Sequence, residues 1–527
     1  MNPFEIIRRK SPGEIHHIIY LFLLTGIVAC MPLSKYITSL FQIVLIIHWL
    51  ARGDYRMKWD RLKSRKAIWV LSLFFIIPLI GMIYTADWSY GIHDLKIKIP
   101  LLAMPLVIGT SETISRRNLK LILLVFVASV SISSLVSLLI VFEIIPYAYT
   151  DVRETSLFIS HIRLALLVDM SVFILSFYAL RRKVSTWERL GIFAWAAYLI
   201  VYLVAVKALT GLVVGLLVGF VLCLRWILKL ENFMLKWFSI VALLTVPVLV
   251  SLYISSQVSG FYTINQDMSN LDKTTVNGNP YWHDTTNLHL ENGYYTGLYI
   301  CEMEMRPAWN RISDYDYDGQ DDKGHELRYT LIRYLTSKGL RKDAYGISQL
   351  TPDDINLIEQ GYANHIYLNR KKFSVRIYEL IWEIDVYRKG GNPSGHSVTQ
   401  RIEYLKTGLR ILADQPFTGV GTGDVPSAFE NKYQEINTQL DPEWRLRAHN
   451  QWLTFAISFG LPGAFILLLA FILPGFLQKK YSHYFFLLFI MVSFLSMFNE
   501  DTLETQAGVA FFAFFYPFIL FSPDHEE

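Results

Sequence analysis

Long apolar runs, broken by short charged turns, fill the first half of the chain and return at its end. A helix crossing the hydrocarbon core of a bilayer needs about 20 apolar residues, and about twelve stretches meet or approach that length. They cover 15–33, 36–51, 67–84, 97–112, 119–145, 162–180, 188–206, 209–228, 236–255, 451–474, 482–498 and 506–522. The 97–112 stretch is short and carries Pro100 and Pro105. Between Tyr253 and Gln451, polar, aromatic and charged residues interrupt the apolar rhythm. The pattern predicts an all-α polytopic membrane protein. Membrane helices 1–9 are expected in 1–255, a large loop in 256–450, and helices 10–12 in 451–527.

Inside the loop, apolar residues recur at helical spacing. Leu331, Ile332, Tyr334 and Leu335 precede Lys338-Gly339, a helix end. Thr351-Pro352-Asp353-Asp354 opens another helix, with proline at its first position. Phe373 to Val386 reads as a third, and Ile402, Leu405, Leu409 and Leu412 share one face of a fourth that starts near Ser397. The expectation is a mostly helical cap lying on the membrane, with irregular chain at 256–325.

Composition agrees with a membrane protein. Of 527 residues 53% are hydrophobic and 18% charged, where soluble proteins carry about a quarter charged residues. Lysine and arginine gather at Arg8-Arg9-Lys10, at 52–66, at Arg116-Arg117, Arg181-Arg182-Lys183, Lys229, Lys236 and Lys479-Lys480. These clusters fall on one side of the bilayer if every stretch spans it, and basic loops mark the cytoplasm. Both termini are then cytoplasmic and the large loop lies outside. The net charge of +4 sits beside membrane spans and no nucleic-acid-binding motif occurs. Cys30, Cys223 and Cys301 form no Cys-x-x-Cys pair, which speaks against a disulfide framework or a zinc site. Ile27-Val28-Ala29-Cys30 loosely resembles a lipoprotein cleavage box, but so many spans follow that a cysteine ending the first membrane helix is the plainer reading.

Two loop motifs have modest readings. Asp314-Tyr-Asp316-Tyr-Asp318-Gly319 opens like a calcium loop, but its twelfth position is His325 in place of a bidentate glutamate, so it reads as a surface turn. Gly419-Val-Gly421-Thr-Gly423 lacks the Lys-Ser/Thr of a phosphate loop. It reads as a tight turn that lets backbone approach the membrane helices.

Chemistry concentrates at the mouths of the spans on the outer side. Arg163 follows His161 at the start of the sixth span, Arg401 begins the fourth loop helix, and Arg445 and Arg447 precede His449-Asn450. A guanidinium binds phosphate oxygens in pairs and keeps its charge; an imidazole exchanges protons near neutral pH. Each also has a structural alternative. Arg163 can snorkel, Arg401 can pair with Glu403, Arg445 can be a solvated charge, and Asn450 can cap a helix. Asn499-Glu500-Asp501 and Glu504 form an acidic patch that pairs with the arginines, holds an acceptor sugar, or is an ordinary turn. Asp169, costly in lipid, should face the protein interior.

The stretch from Arg401 through Asp414-Gln415-Pro416 to Gly423, followed by Arg447-Ala448-His449-Asn450-Gln451-Trp452-Leu453 and Phe459-Gly460-Leu461-Pro462-Gly463, resembles the O-antigen ligase family. That family also includes O-antigen polymerases and protein O-oligosaccharyltransferases, and the long loop looks like the Bacteroidetes branch. The resemblance implies a metal-independent, inverting glycosyltransferase without cofactor in the bacterial inner membrane, working in lipopolysaccharide and cell-envelope biosynthesis. Its implied donor is a glycan on undecaprenyl diphosphate. Its implied acceptor is a hydroxyl of lipid A–core, or another acceptor, at a periplasmic loop. Catalytic roles are implied for His449, Arg401 and Arg163, and substrate binding for Arg447, Lys207, His161, Asn450 and Arg445. Many relatives carry Ser-Arg-Thr-Gly where this chain has Ala208-Leu209-Thr210-Gly211. Either Lys207 substitutes for the missing arginine or that contact is lost. A secondary transporter is the alternative from another class; the halves show no repeat, and the polar candidates gather at the outer edge rather than the midplane.

Overall fold

The computed structural model describes residues 11–149, 151–181, 184–369 and 372–523. Arg8, Arg9, Lys10, Arg182 and Lys183, which enter the orientation argument, lie outside the described residues.

Nearly all of the regular structure is helical. The first half contains α1 (Pro12–Cys30), α2 (Lys35–Ala51), α3 (Tyr55–Ser64), α4 (Lys66–Gly81), α5 (Trp88–Thr110), α6 (Arg116–Val141), α7 (His161–Ala179), α8 (Thr186–Ala205), α9 (Leu209–Leu228) and α10 (Phe233–Tyr262). Then follow α11 (Glu302–Trp309), α12 (Leu327–Ser337), α13 (Ala344–Ser348), α14 (Pro352–Glu359), α15 (Phe373–Arg388), α16 (Ser397–Asp414) and α17 (Val425–Glu435). The chain ends in α18 (Gln451–Leu477), α19 (Tyr484–Ser496) and α20 (Gln506–Leu520). One antiparallel hairpin, β1 (Leu290–Glu291) with β2 (Tyr294–Tyr295), turns through Asn292-Gly293, both at positive φ as such a turn requires.

Every apolar stretch read from the sequence forms a helix. Among the described residues, eight are long and apolar enough to cross a membrane, and up to nine if α2 and α3, bent by 111°, count as one span. The expected twelve therefore overstates what length and composition alone support. α5 carries Asp94, Lys96 and Lys98, while α19 and α20 are apolar but shorter. The protein is an all-α polytopic membrane protein.

The chain folds as two compact units, Met1–Lys229 with Asn392–Glu527, and Leu230–Gly391. Residues 392–450, which precede α18 in sequence, thus pack with the first unit, and α10 belongs to the second.

In the first unit α4 packs on α5 and α18, α20 on α5, and α7 on α8. Its core is aromatic: Phe471 stacks on Phe512 at 6.0 Å, and Phe126 meets Phe515 edge-on at 5.0 Å. Between apolar helices in lipid such dispersion contacts, rather than exclusion of water, hold the bundle. Asp169 is buried on α7, where Gly215 of α9 makes room for its carboxyl, and its Oδ2 has no hydrogen-bond partner among the described residues.

The glycine run 419–423 is a clip between helices. α18 breaks at Gly460, whose φ of 67° and ψ of 177° suit essentially only glycine. Val420 N donates to Ile457 O (2.8 Å), Gly421 N to Ser458 O (3.0 Å), and Leu461 N to Pro416 O (2.8 Å). On its other side the run reaches the end of α4. Thr422 Oγ1 donates to Pro78 O (2.6 Å), and Asp424 accepts from Ala86 N (2.7 Å) and Asp87 N (2.8 Å). Its amides are thus committed to backbone approach, as the tight-turn reading holds.

α16 begins at Ser397 as expected, but it packs on a different face. Tyr404, Thr407, Gly408 and Ile411 are buried, while Leu405 and Leu409 are exposed. The reason is Gly408, which lets α16 lie against Leu453 and Ile457 of α18; a Cβ there would stand 2.8 Å from Leu453.

In the second unit α10 packs along α15, with Phe261 and Tyr378 at 5.4 Å and Tyr262 OH donating to Asp385 (3.1 Å). Trp309, Leu331, Leu335 and Ile358 form a separate core. Thr351 and Asp354 cap α14 reciprocally, and α12 ends at Lys338-Gly339 with Gly339 at φ 68°. Asp318 pairs with Arg306 (3.0 Å), and Asp316 accepts from Asp318 N (3.1 Å), as in an ordinary turn.

Candidate active site

The segment 499–504, between α19 and α20, gathers a group of charged residues of the first unit. Arg401, at the second turn of α16, donates to Asn499 Oδ1 (2.8 Å) and to Glu500 Oε1 (3.2 Å). Asn499 in turn donates to Thr210 Oγ1 (2.7 Å), tying the start of α9 to the same place. Glu500 feels the charges of His449, Arg401 and Arg163. His161, two residues before Arg163 on α7, is within electrostatic reach of Arg401. His449, Arg401 and Arg163 therefore lie within electrostatic reach of one carboxylate, although they come from three separate parts of the chain.

His449 is held in an uncommon backbone conformation, with φ 47°. Asp501 fixes it, accepting from His449 N (3.1 Å) and from Thr454 Oγ1 (2.7 Å). The imidazole stacks on Tyr404 at 5.5 Å. Tyr404 lies one helical turn from Arg401, on the same face of α16, and is anchored by its hydroxyl donating to Trp444 O (2.8 Å). Nδ1 of His449 is buried and has no hydrogen-bond partner among the described residues. An imidazole nitrogen left unengaged keeps its capacity to accept or donate a proton.

A second charged group lies beside the first. Glu504 accepts from Lys98 Nζ (2.9 Å) and Gln451 Nε2 (3.0 Å) and pairs with Arg447 at 3.3 Å. Lys98 also pairs with Asp94 one turn earlier on α5 (2.6 Å), and Arg447 donates to Tyr90 OH (3.2 Å). Two carboxylates thus face two cations, the arrangement that makes buried charge tolerable. Arg447 Nε is buried without a partner among the described residues.

The two glutamates titrate in opposite directions. Burial dominates at Glu500 and pushes its pKa up, against the pull of His449, Arg401 and Arg163. Burial also opposes the charge of Glu504, but Lys98, Arg447 and the hydrogen bond from Gln451 outweigh it and hold the pKa well below the ordinary carboxylate range. Burial lowers the pKa of Arg401, yet a guanidinium stays charged at any physiological pH.

The remaining candidates have other places. Asn450 caps α18, accepting from Leu453 N (3.0 Å), and donates to Phe498 O (3.1 Å). Lys207 sits in the α8–α9 turn at φ 52°, three residues before Thr210. Arg445 pairs with Glu430 (3.4 Å) and donates to Leu440 O (3.2 Å), and these contacts do not join it to the cluster. Sequence reading did not pick out Asp94, Lys98, Tyr90, Tyr404 or Thr210. The Asp94/Lys98 pair had a usable signal, since opposite charges four residues apart in an apolar stretch lie on one helix face.

Residues 363–468 match the family model described as O-Antigen ligase. That stretch, about a fifth of the chain, is similar to the O-antigen ligase family. The matched stretch contains Arg401, the glycine clip, Arg447, His449 and Asn450, and stops short of the 499–504 segment on which they converge. No curated protein matches the chain. The likeness points to a membrane protein of the O-antigen ligase and polymerase type.

Proposed function

We propose that the chain transfers a glycan from undecaprenyl diphosphate to an acceptor hydroxyl on the periplasmic side of the inner membrane, with ligation to lipid A–core as the leading reaction. The observation that carries this reading is the grouping of His449, Arg401 and Arg163 around Glu500. In a single displacement the acceptor oxygen bonds to the anomeric carbon while its proton passes to the His449 imidazole. The bond from that carbon to the diphosphate oxygen breaks with its electron pair, and configuration inverts. Negative charge grows on the leaving diphosphate, where fixed guanidinium groups act most strongly; Arg401 and Arg163 take that role. Arg447, Lys207 and His161 are assigned to binding the donor or the acceptor. Asn450 shapes the His449 turn as a cap, and Arg445 supports the loop through Glu430. The chemistry needs no metal and no cofactor.

Polymerisation of repeat units and transfer to protein hydroxyls use the same step with other acceptors. Lipid-linked intermediates in cells lacking the chain separate these cases. Ligation predicts long polymer accumulating on the carrier, and polymerisation predicts single units. An unchanged profile of carrier-linked glycan would sink both. A transporter, in contrast, would move its solute across proteoliposomes without forming a covalent product.

A further inference from the structure

The second unit contains a cavity of about 140 Å³ lined by Gln266, Tyr294, Tyr299, Gly339, Arg341 and Lys342, among others. One water needs about 10–15 Å³ on this measure, so the space holds several waters or a molecule larger than water. The lining offers cations, phenols and an amide, and no carboxylate.

Local structure builds this lining. Gly339, at φ 68°, lets the Tyr294 ring lie flush against the backbone; a Cβ there would sit 2.8 Å from the ring. Tyr299 is held at φ 57°, a costly conformation for an aromatic residue. Its carbonyl accepts from Lys342 N (3.0 Å) and Lys342 O accepts from Cys301 N (2.8 Å), which fixes Lys342 beside it. Gln266 Oε1 accepts from Tyr295 N (2.9 Å), which orients its amide. Arg341 lies over the Tyr299 ring at 4.8 Å and is ion-paired with Asp272.

Lys342 has no such counter-charge. It is only 2% exposed. Its ammonium donates to Tyr295 O (3.2 Å) and, among the described residues, to nothing else. An ammonium has three donors, and a buried one without an anion is costly. Burial accordingly pushes its pKa down to about 7. An anion entering the cavity supplies the missing charge and acceptors.

We propose that this cavity is a binding site for a sugar bearing a carboxylate. The carboxylate meets Lys342 Nζ, the ring hydroxyls meet the polar lining, and an apolar ring face packs on Tyr294. The site is separate from the transfer chemistry proposed above and is tested without it. The full-length protein in detergent is titrated with D-glucuronate, D-glucose and inorganic phosphate, with binding read by calorimetry and by saturation-transfer NMR. Glucuronate is expected to bind at least about tenfold more tightly than glucose, the value of one charge-assisted contact, and more tightly than phosphate, which has no ring to pack on Tyr294. Lys342→Met, which keeps the apolar stem, is expected to remove that preference, and Tyr294→Ala to weaken glucuronate and glucose alike. Glucuronate binding no tighter than glucose or phosphate overturns the proposal. So does an unchanged preference in Lys342→Met or, should that variant not fold, unchanged binding in Tyr294→Ala. Because the readout is binding, a protein inactive in transfer that still selects glucuronate refutes the proposed reaction and leaves this site standing.

Discussion

Arg401 shows how one side chain serves two demands. In the resting site its fork divides between Asn499 and Glu500, a geometry a lysine cannot copy. Arg401→Lys is expected to lower kcat/KM for a lipid-diphosphate donor by roughly 10- to 150-fold, the value of one charge-assisted hydrogen bond of about 1.5–3 kcal/mol. A variant with unchanged donor kinetics would make Arg401 structural. The glutamates give a pH signature. Glu500 has a raised pKa, so its contribution to stability is present at acid pH and declines as pH rises through the raised value. Glu500→Gln is therefore expected to gain melting temperature relative to the wild type between about pH 4 and pH 8. Glu504 behaves in the opposite sense. Its pKa is depressed, so its stabilisation is present above the ordinary carboxylate range and fades as pH falls. Glu504→Ala leaves half-buried Arg447 without its ion-pair partner and Lys98 with Asp94 alone, at a cost of up to about 3–5 kcal/mol near neutral pH. Melting curves of both variants across that range check the signs.

At the scale of elements, the break in α18 and the glycine clip place α16 and the His449 turn. Gly460 combines a conformation closed to other residues with a Cβ position that collides with Phe417 O. Gly460→Ala is expected to cost at least about 1–3 kcal/mol in conformational strain alone, seen as a lower melting temperature in detergent, with activity lost in proportion. Full wild-type stability would mean that α18 tolerates an unbroken path. The glycine run was legible in sequence because glycines this dense between apolar helices suit close backbone approach. The packed face of α16 was not. Leucine spacing pointed to Leu405 and Leu409, but contact is decided by Gly408, whose small size matters only against Leu453 and Ile457. The start of α14 was legible because Thr351 and Asp354 carry their own capping partners. Arg401, Arg163 and His449 were legible as types at helix mouths. Their meeting at Glu500 was not, because it depends on how α7, α16 and α18 pack.

For the whole molecule, the account rests on orientation across the bilayer. The basic loop 52–66 should face the cytoplasm and the 392–450 region the periplasm. In a cysteine-free background, an impermeant thiol reagent added to intact cells with a permeable outer membrane is expected to label Gln439→Cys and not Arg56→Cys. Both positions are exposed in the fold. The reverse pattern puts His449 on the wrong side for a periplasmic acceptor. Placement of the core was legible in the apolar rhythm, whereas the cut between the two units was not, because residues 392–450 read as loop but pack as part of the first unit.

The most direct measurement is the mass of the product. Purified protein is incubated with a glycan on undecaprenyl diphosphate and with lipid A–core, and the acceptor is weighed afterwards. The account predicts acceptor carrying the intact glycan from the wild type and none from His449→Ala at equal protein in the membrane fraction. Acceptor of unchanged mass across the family's candidate acceptors, or wild-type turnover from His449→Ala, would contradict it.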